Sequence, residues 1–246
     1  MELFDRFGLA GGLRWLHVLA GITWIGLLYY FNVVQVPAFA AYGDEARARS
    51  VSINVLARRA LDWFRWSALT TLVLGLLITG ATKDYYLDFF DRANGASIFI
   101  GMIFGITMAA NVWMVIWPQQ RVILANAAGV LADQPADPGA AAAGRKALLA
   151  SRQNLIFSIP MLWFMVATSH FYAVAAFADP GSGAIWTFIL IALALGAVLE
   201  LNALGVLGGN GPSALRWPYE NHRNAIITGF VFWAVLWLLS ELLLGS

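Results

Sequence analysis

The chain contains no cysteine. Disulfides, thiolate metal sites, iron–sulfur clusters and covalent attachment of c-type haem are therefore excluded. Charge is almost as scarce. Only 12% of the 246 residues are charged, against about 25% in ordinary soluble domains. Hydrophobic residues make up 60% of the chain and the mean hydropathy is +0.71. So little polar surface cannot cover a globule in water, and lipid must be part of the solvent. The net charge of +1 argues against nucleic acid as a partner. The stretch Met1 to Leu13 lacks a basic n-region and a small-residue cleavage site, so the first apolar segment is expected to be retained.

What the sequence has in quantity is long apolar runs. A bilayer core needs about 20 such residues per helix. Six stretches qualify, roughly Leu13–Ala38, Trp63–Thr82, Ser97–Trp117, Leu155–Ala178, Ala184–Leu207 and Asn224–Leu244. The fold class is thus all-α, a polytopic transmembrane bundle of about six helices forming a single domain over residues 1–246. Residues 42–62, with an acidic start and then Arg47, Arg49, Arg58 and Arg59, read as a cytoplasmic surface helix. Residues 119–152, which include Pro135, Pro138 and an alanine run, read as a cytoplasmic loop with helical shoulders. No internal repeat or soluble second domain is visible.

Basic residues orient the bundle, because Lys and Arg accumulate in cytoplasmic loops. The first connection carries Arg47, Arg49, Arg58, Arg59 and Arg65. The third carries Arg121, Arg145, Lys146 and Arg152, and the fifth carries Arg216 and Arg223. The opposite side holds only Arg6, Arg14, Lys83 and Arg92. Both termini are therefore expected on the outer, periplasmic side.

Ionisable residues inside a membrane are costly and mark functional candidates. Of the three histidines, His17 lies in the first helix and His170 in the fourth. Counted at 1.5 Å per residue, both imidazoles fall about 6–12 Å below the outer boundary. Two histidines at one depth on different helices suit a b-type haem with two imidazole ligands. His17, Gly21 and Trp24 fall on one helical stripe. Gly21 would let a flat macrocycle approach the backbone, and Arg14, one turn above, could pair with propionates. An intramembrane histidine also commonly serves as an interhelical hydrogen-bond partner. On the inner side, His222, Glu200 and Asn111 form a second polar candidate, either a proton path or quinone-head site or a plain interfacial anchor. Gly101-x-x-x-Gly105 marks close helix packing, and Pro160 is expected to kink the fourth helix.

The run Arg14-Trp15-Leu16-His17-Val18-Leu19-Ala20-Gly21-Ile22-Thr23-Trp24-Ile25-Gly26, followed by Tyr29-Tyr30-Phe31, resembles the opening helix of the bacterial membrane-bound urate oxidase (urate hydroxylase) family, in its membrane-embedded N-terminal domain. The rest of the chain matches that domain in layout. The resemblance implies a multi-pass protein of the bacterial inner membrane and a functional role for His17. In that family a c-type cytochrome domain follows on the outer side. This chain stops at Ser246 without a Cys-x-x-Cys-His motif, so no haem c is expected and the electron exit falls to a separate protein. A lesser likeness is to small haem-binding membrane proteins that oxidise protoporphyrinogen. The expected function is a b-haem redox protein. It would pass electrons from a urate-like small molecule or a quinol to an outer acceptor such as cytochrome c. The alternative is an accessory subunit of a larger membrane complex, without a cofactor.

Overall fold

The structure is a computed structural model that describes residues 6–81, 90–177 and 180–245. Lys83 and the ends of two expected spans, Thr82 and Ala178, lie outside them. The described residues contain helices and turns and no strand.

Three long helices open the chain. Helix α1 covers residues 6–41, α2 covers 46–81 and α3 covers 93–131. Each contains one wide turn, at Tyr30–Gln35, Ile53–Ala57 and Asn111–Ile116. Two of these have a direct chemical cause. Pro37 and Pro118 have no N–H to return to the preceding turn. The residue just before each proline bonds five residues back, Val36 N–H to Phe31 O and Trp117 N–H to Val112 O. The expanded turn thus absorbs the proline without ending the helix. No proline accompanies the third wide turn, and nothing in the sequence there accounts for it.

Helix α4 spans Ala140–His170, α5 spans Ser182–Ala203 and α6 spans His222–Leu244. A short helical turn, Trp217–Glu220, precedes α6. The segment 42–62, expected as a separate surface helix, is helical from Ala46 and runs unbroken into α2. The break expected over 119–152 narrows to residues 132–139 between α3 and α4.

Among the described residues, five helices are long and apolar enough to cross a membrane: Gly8–Ala41, Ala46–Gly80, Ala93–Leu131, α5 and α6. Helix α4 is long enough, about 46 Å at 1.5 Å per residue, but it carries Arg152, Gln153, Asn154 and Ser158, all buried. Its position explains the polarity. Helix α4 packs against α1, α3, α5 and α6 together, so its polar stretch is covered by protein, while Leu162 and Val166 farther along it are exposed. The outer helices instead present large apolar side chains to the surroundings, among them Ile22, Leu76, Leu190 and Leu238.

Glycines set the closest approaches to α4. A Cβ on Gly101 would meet the Met165 backbone nitrogen at 3.2 Å, as the Gly101–Gly105 spacing anticipated. On α6, a Cβ on Gly229 would lie 2.6 Å from Ile159 Cδ1 and 3.0 Å from the Ile156 carbonyl oxygen. That carbonyl is the one Pro160, four residues on, cannot hydrogen-bond. Helix α6 therefore covers the backbone group that the proline leaves free, and α4 stays continuous through Pro160.

Candidate functional site

Helices α1, α2, α3 and α4 line a pocket of about 390 Å³, within the range of small-molecule and cofactor sites and open at the side where Ile22, Leu76 and Val166 are exposed. Its wall is almost wholly apolar. The stripe read from the sequence supplies one side: His17, Gly21 and Trp24 all line it. The His17 Nδ1 lies 2.8 Å from the Thr71 carbonyl oxygen. A carbonyl can only accept, so Nδ1 donates and the neutral ring keeps its lone pair on Nε2. This is the tautomer of a metal-ligating imidazole oriented by an outer hydrogen bond. Gly75, one turn beyond Thr71, makes room for the ring. A Cβ there would stand 3.1 Å from His17 Cε1. Trp24 is buried, and its indole N–H has no hydrogen-bond partner among the described residues.

His170 is the last residue of α4 and is exposed. Its Nδ1 lies 3.1 Å from the Val166 carbonyl oxygen, which again leaves Nε2 free. Val166, one turn before it, lines the pocket, and His170 does not. Arg14 is exposed one turn above His17 and also stays out of the wall.

Sequence reasoning missed the partners from the other helices. Thr71 and Gly75 continue a stripe of small residues, Ser67-x-x-x-Thr71-x-x-x-Gly75, a spacing that favours close helix contact. That spacing was the available signal. Met102, Met161 and Met165 also line the wall, and their thioethers are soft donors able to ligate a haem iron. Among the described residues no group of three or more His, Asp or Glu side chains could hold a metal ion. The wall therefore suits a flat apolar group held at one imidazole better than a hydrated cation.

The inner candidate is assembled in part. Asn111, in the wide turn of α3, donates through Nδ2 to Asn154 Oδ1 at 3.0 Å and to Glu200 Oε2 at 3.1 Å. Asn154 in turn donates to the Met108 carbonyl oxygen at 2.9 Å. Three helices are thereby tied by one amide. His222 begins α6, half-buried, and is not a partner of either residue. Nearby, the Tyr219 hydroxyl lies 2.9 Å from Gln153 Oε1 and 2.8 Å from the Leu199 carbonyl oxygen, which share its proton. Burial pushes the Tyr219 phenol well above its ordinary range, and the Glu200 charge adds to the shift. The hydroxyl therefore remains a donor.

A sequence model described as urate oxidase N-terminal matches residues 78–201. No curated protein and no solved structure matches the chain. The matched stretch takes in α3, α4 and most of α5, and leaves out the first helix on which the sequence resemblance rests. With half of its length matched in this way, the chain belongs to the urate oxidase N-terminal family.

Proposed function

We propose that the chain is the membrane-embedded redox component of a urate-oxidase-like system, holding a b-type haem in the pocket at His17. The supporting observation is the His17 ring itself. It lies in the wall of a 390 Å³ apolar pocket, with Nδ1 tied to the Thr71 carbonyl and Nε2 free. In this reading α4 is the sixth span, both termini face the outer side and the membrane is the bacterial inner membrane.

His17 would hold the group through Nε2. His170, whose ring is likewise bonded through Nδ1, would supply the second nitrogen from the rim. Gly21 and Gly75 leave space beside the imidazole, and the Trp24 N–H is available to an acceptor on the bound group. Arg14 would neutralise propionates toward the outer face. When bound, such a group supplies one-electron transfer, here from a small-molecule donor (urate-like or a quinol) to an outer acceptor such as cytochrome c. The apolar wall excludes water and orients the ring. It offers almost no partners to a purine anion, so a urate-like donor would have to bind outside the pocket.

The test is a dithionite-reduced minus oxidised spectrum of the purified protein in detergent. Sharp b-type bands in the wild type and their loss in His17→Ala are expected. Loss in His170→Ala as well supports the imidazole pair, and retention there assigns the second position to a wall thioether. A flat spectrum from folded wild-type protein sinks the proposal and favours an accessory subunit.

A further inference from the structure

The wide turns of three different helices meet at one space. A second pocket, of about 210 Å³, takes Phe31 and Gln35 from the wide turn of α1, Ile53 and Ala57 from that of α2 and Ile116 from that of α3. Helix α4 adds Leu148 and Ser151. Expanded turns of this kind recur at functional sites, and the one in α2 has no proline to cause it. Along α1 the His17 pocket reaches Gly26 and the second pocket begins at Phe31. The two are thus about 7.5 Å apart along that axis.

The wall defines the chemistry of an occupant. Phe31 and Phe64, with rings 5.4 Å apart and nearly perpendicular, both belong to it, and aromatic surfaces of this kind suit a flat ring. The polar part is neutral, made of Gln35, Gln120 and Ser151. Gln35 Oε1 is buried and has no hydrogen-bond partner among the described residues. Ser151 accepts a bond from Asn32 Nδ2 at 2.8 Å, and a hydroxyl that accepts still carries a proton to give. Arg58 and Arg121 adjoin Ala57 and Gln120 in the chain, yet neither lines the pocket. An anion would find no counter-charge there. A hydrocarbon would leave the Gln35 oxygen unsatisfied, which is costly for a buried acceptor.

Val34, beside Gln35, and Val55 and Leu56, beside Ala57, are exposed. The turns themselves therefore border lipid, and a ligand can arrive through the bilayer. An uncharged, flat, lipid-soluble molecule that both donates and accepts through oxygen meets these conditions. A dihydroxy aromatic ring is such a molecule, because a phenol keeps its proton at neutral pH. We infer that the pocket at the three wide turns binds the ring of a quinol. The quinol donor of the proposed function thereby has a place to bind, and its role rests on that reading, while occupancy itself needs no haem at His17.

The experiment is thermal unfolding of the purified full chain in detergent against tetramethylhydroquinone, kept reduced under argon. A saturable rise in Tm is expected for the wild type. Tetramethylbenzene, the same ring without hydroxyls, should give little or none. In Gln35→Leu the apparent affinity should fall about fivefold or more, the worth of one hydrogen bond. Gln120→Leu puts the same question from α3 if Gln35→Leu fails to fold. Arg223→Gln, the loss of an exposed charge outside the pocket, should leave the rise intact. No rise in the wild type, or an equal rise with tetramethylbenzene, overturns the proposal. An unchanged affinity in the glutamine variant that folds overturns it too. The readout is stability and not absorbance. A flat haem spectrum with a hydroquinone response therefore removes the haem and leaves this site standing, and haem bands without a response do the reverse.

Discussion

The two ends of this bundle differ in how far their polar groups pair side chain with side chain. At the His17 end, side chains bond mainly to backbone carbonyls, with Tyr172 and Ser240 as a hydroxyl pair 2.6 Å apart. His17 reaches Thr71, Ser97 donates to Phe164 at 3.0 Å and Thr168 donates to Asn94 at 2.6 Å. At the Arg216 end, bonds to backbone carbonyls from Arg216, Arg152 and Asn154 are joined by side-chain pairs, Asn111 with Asn154 and Glu200, Tyr219 with Gln153, and Arg145 with Glu220. A backbone carbonyl is present whatever the neighbouring residue is. A side-chain pair needs two particular residues in register. The first end therefore asks for fewer matched side-chain pairs. The second specifies which helices meet.

Four measurements sharpen or break this contrast. The largest loss of stability is expected from Gly229→Ala, at the contact both ends share, where a Cβ would run into Ile159 and the Ile156 carbonyl. Overpacking of this kind costs about 1–3 kcal/mol, read as the fall in thermal stability in detergent. Next comes Asn154→Ala, which removes two bonds and leaves Asn111 only its bond to Glu200. At about 0.6 kcal/mol per hydrogen bond between membrane helices, rising to about 1.7, the expected loss is about 1–2 kcal/mol. Ser97→Ala removes a single bond to backbone and should cost about 0.6 kcal/mol. If Ser97→Ala proves as damaging as Asn154→Ala, the two ends do not differ as described.

The smallest effect is one of pH. The hydrogen bond from Arg145, followed by the charges of Arg145, Arg152 and Arg216, holds the Glu220 carboxyl below its ordinary range, and burial opposes this. A carboxyl lowered in the folded state adds stability that is present above its unfolded pKa and lost as pH falls through its folded one. Stability should therefore fall on acidification below the ordinary carboxylate range, and Glu220→Gln should flatten that slope. Both side chains are partly exposed, 27% for Arg145 and 44% for Glu220, so the difference should be within about 0.2–1 kcal/mol. An unchanged acid slope in Glu220→Gln would show that Glu220 adds nothing at this end.

Much of the His17 wall was legible along one helix. The 3.6-residue period places His17, Gly21 and Trp24 on a common stripe, and all three line the pocket. Depth was also countable, because rise per residue is constant. Rotation about the helix axis was not countable for α4, whose wall residues are Met161, Leu162, Met165 and Val166 while His170 sits exposed beyond them. Matched depth specifies one coordinate of a side chain and leaves its facing direction open. Arg216 was legible only as a basic loop residue that orients the protein. Its burial depends on where a loop folds back, and no periodicity encodes that.

By itself the sequence determined the solvent, the helical class and the existence of the long apolar helices, because hydropathy and length are local properties that the bilayer reads directly. It also determined the stripe on α1. Only the tertiary structure decided that α4 is the central helix, that its polar stretch is buried against other helices, and that Thr71 orients His17. It also buried Arg216 and left its Nε and Nη2 without a partner among the described residues. Those outcomes depend on which faces of separate helices meet, and packing settles that through contacts between residues far apart in the chain.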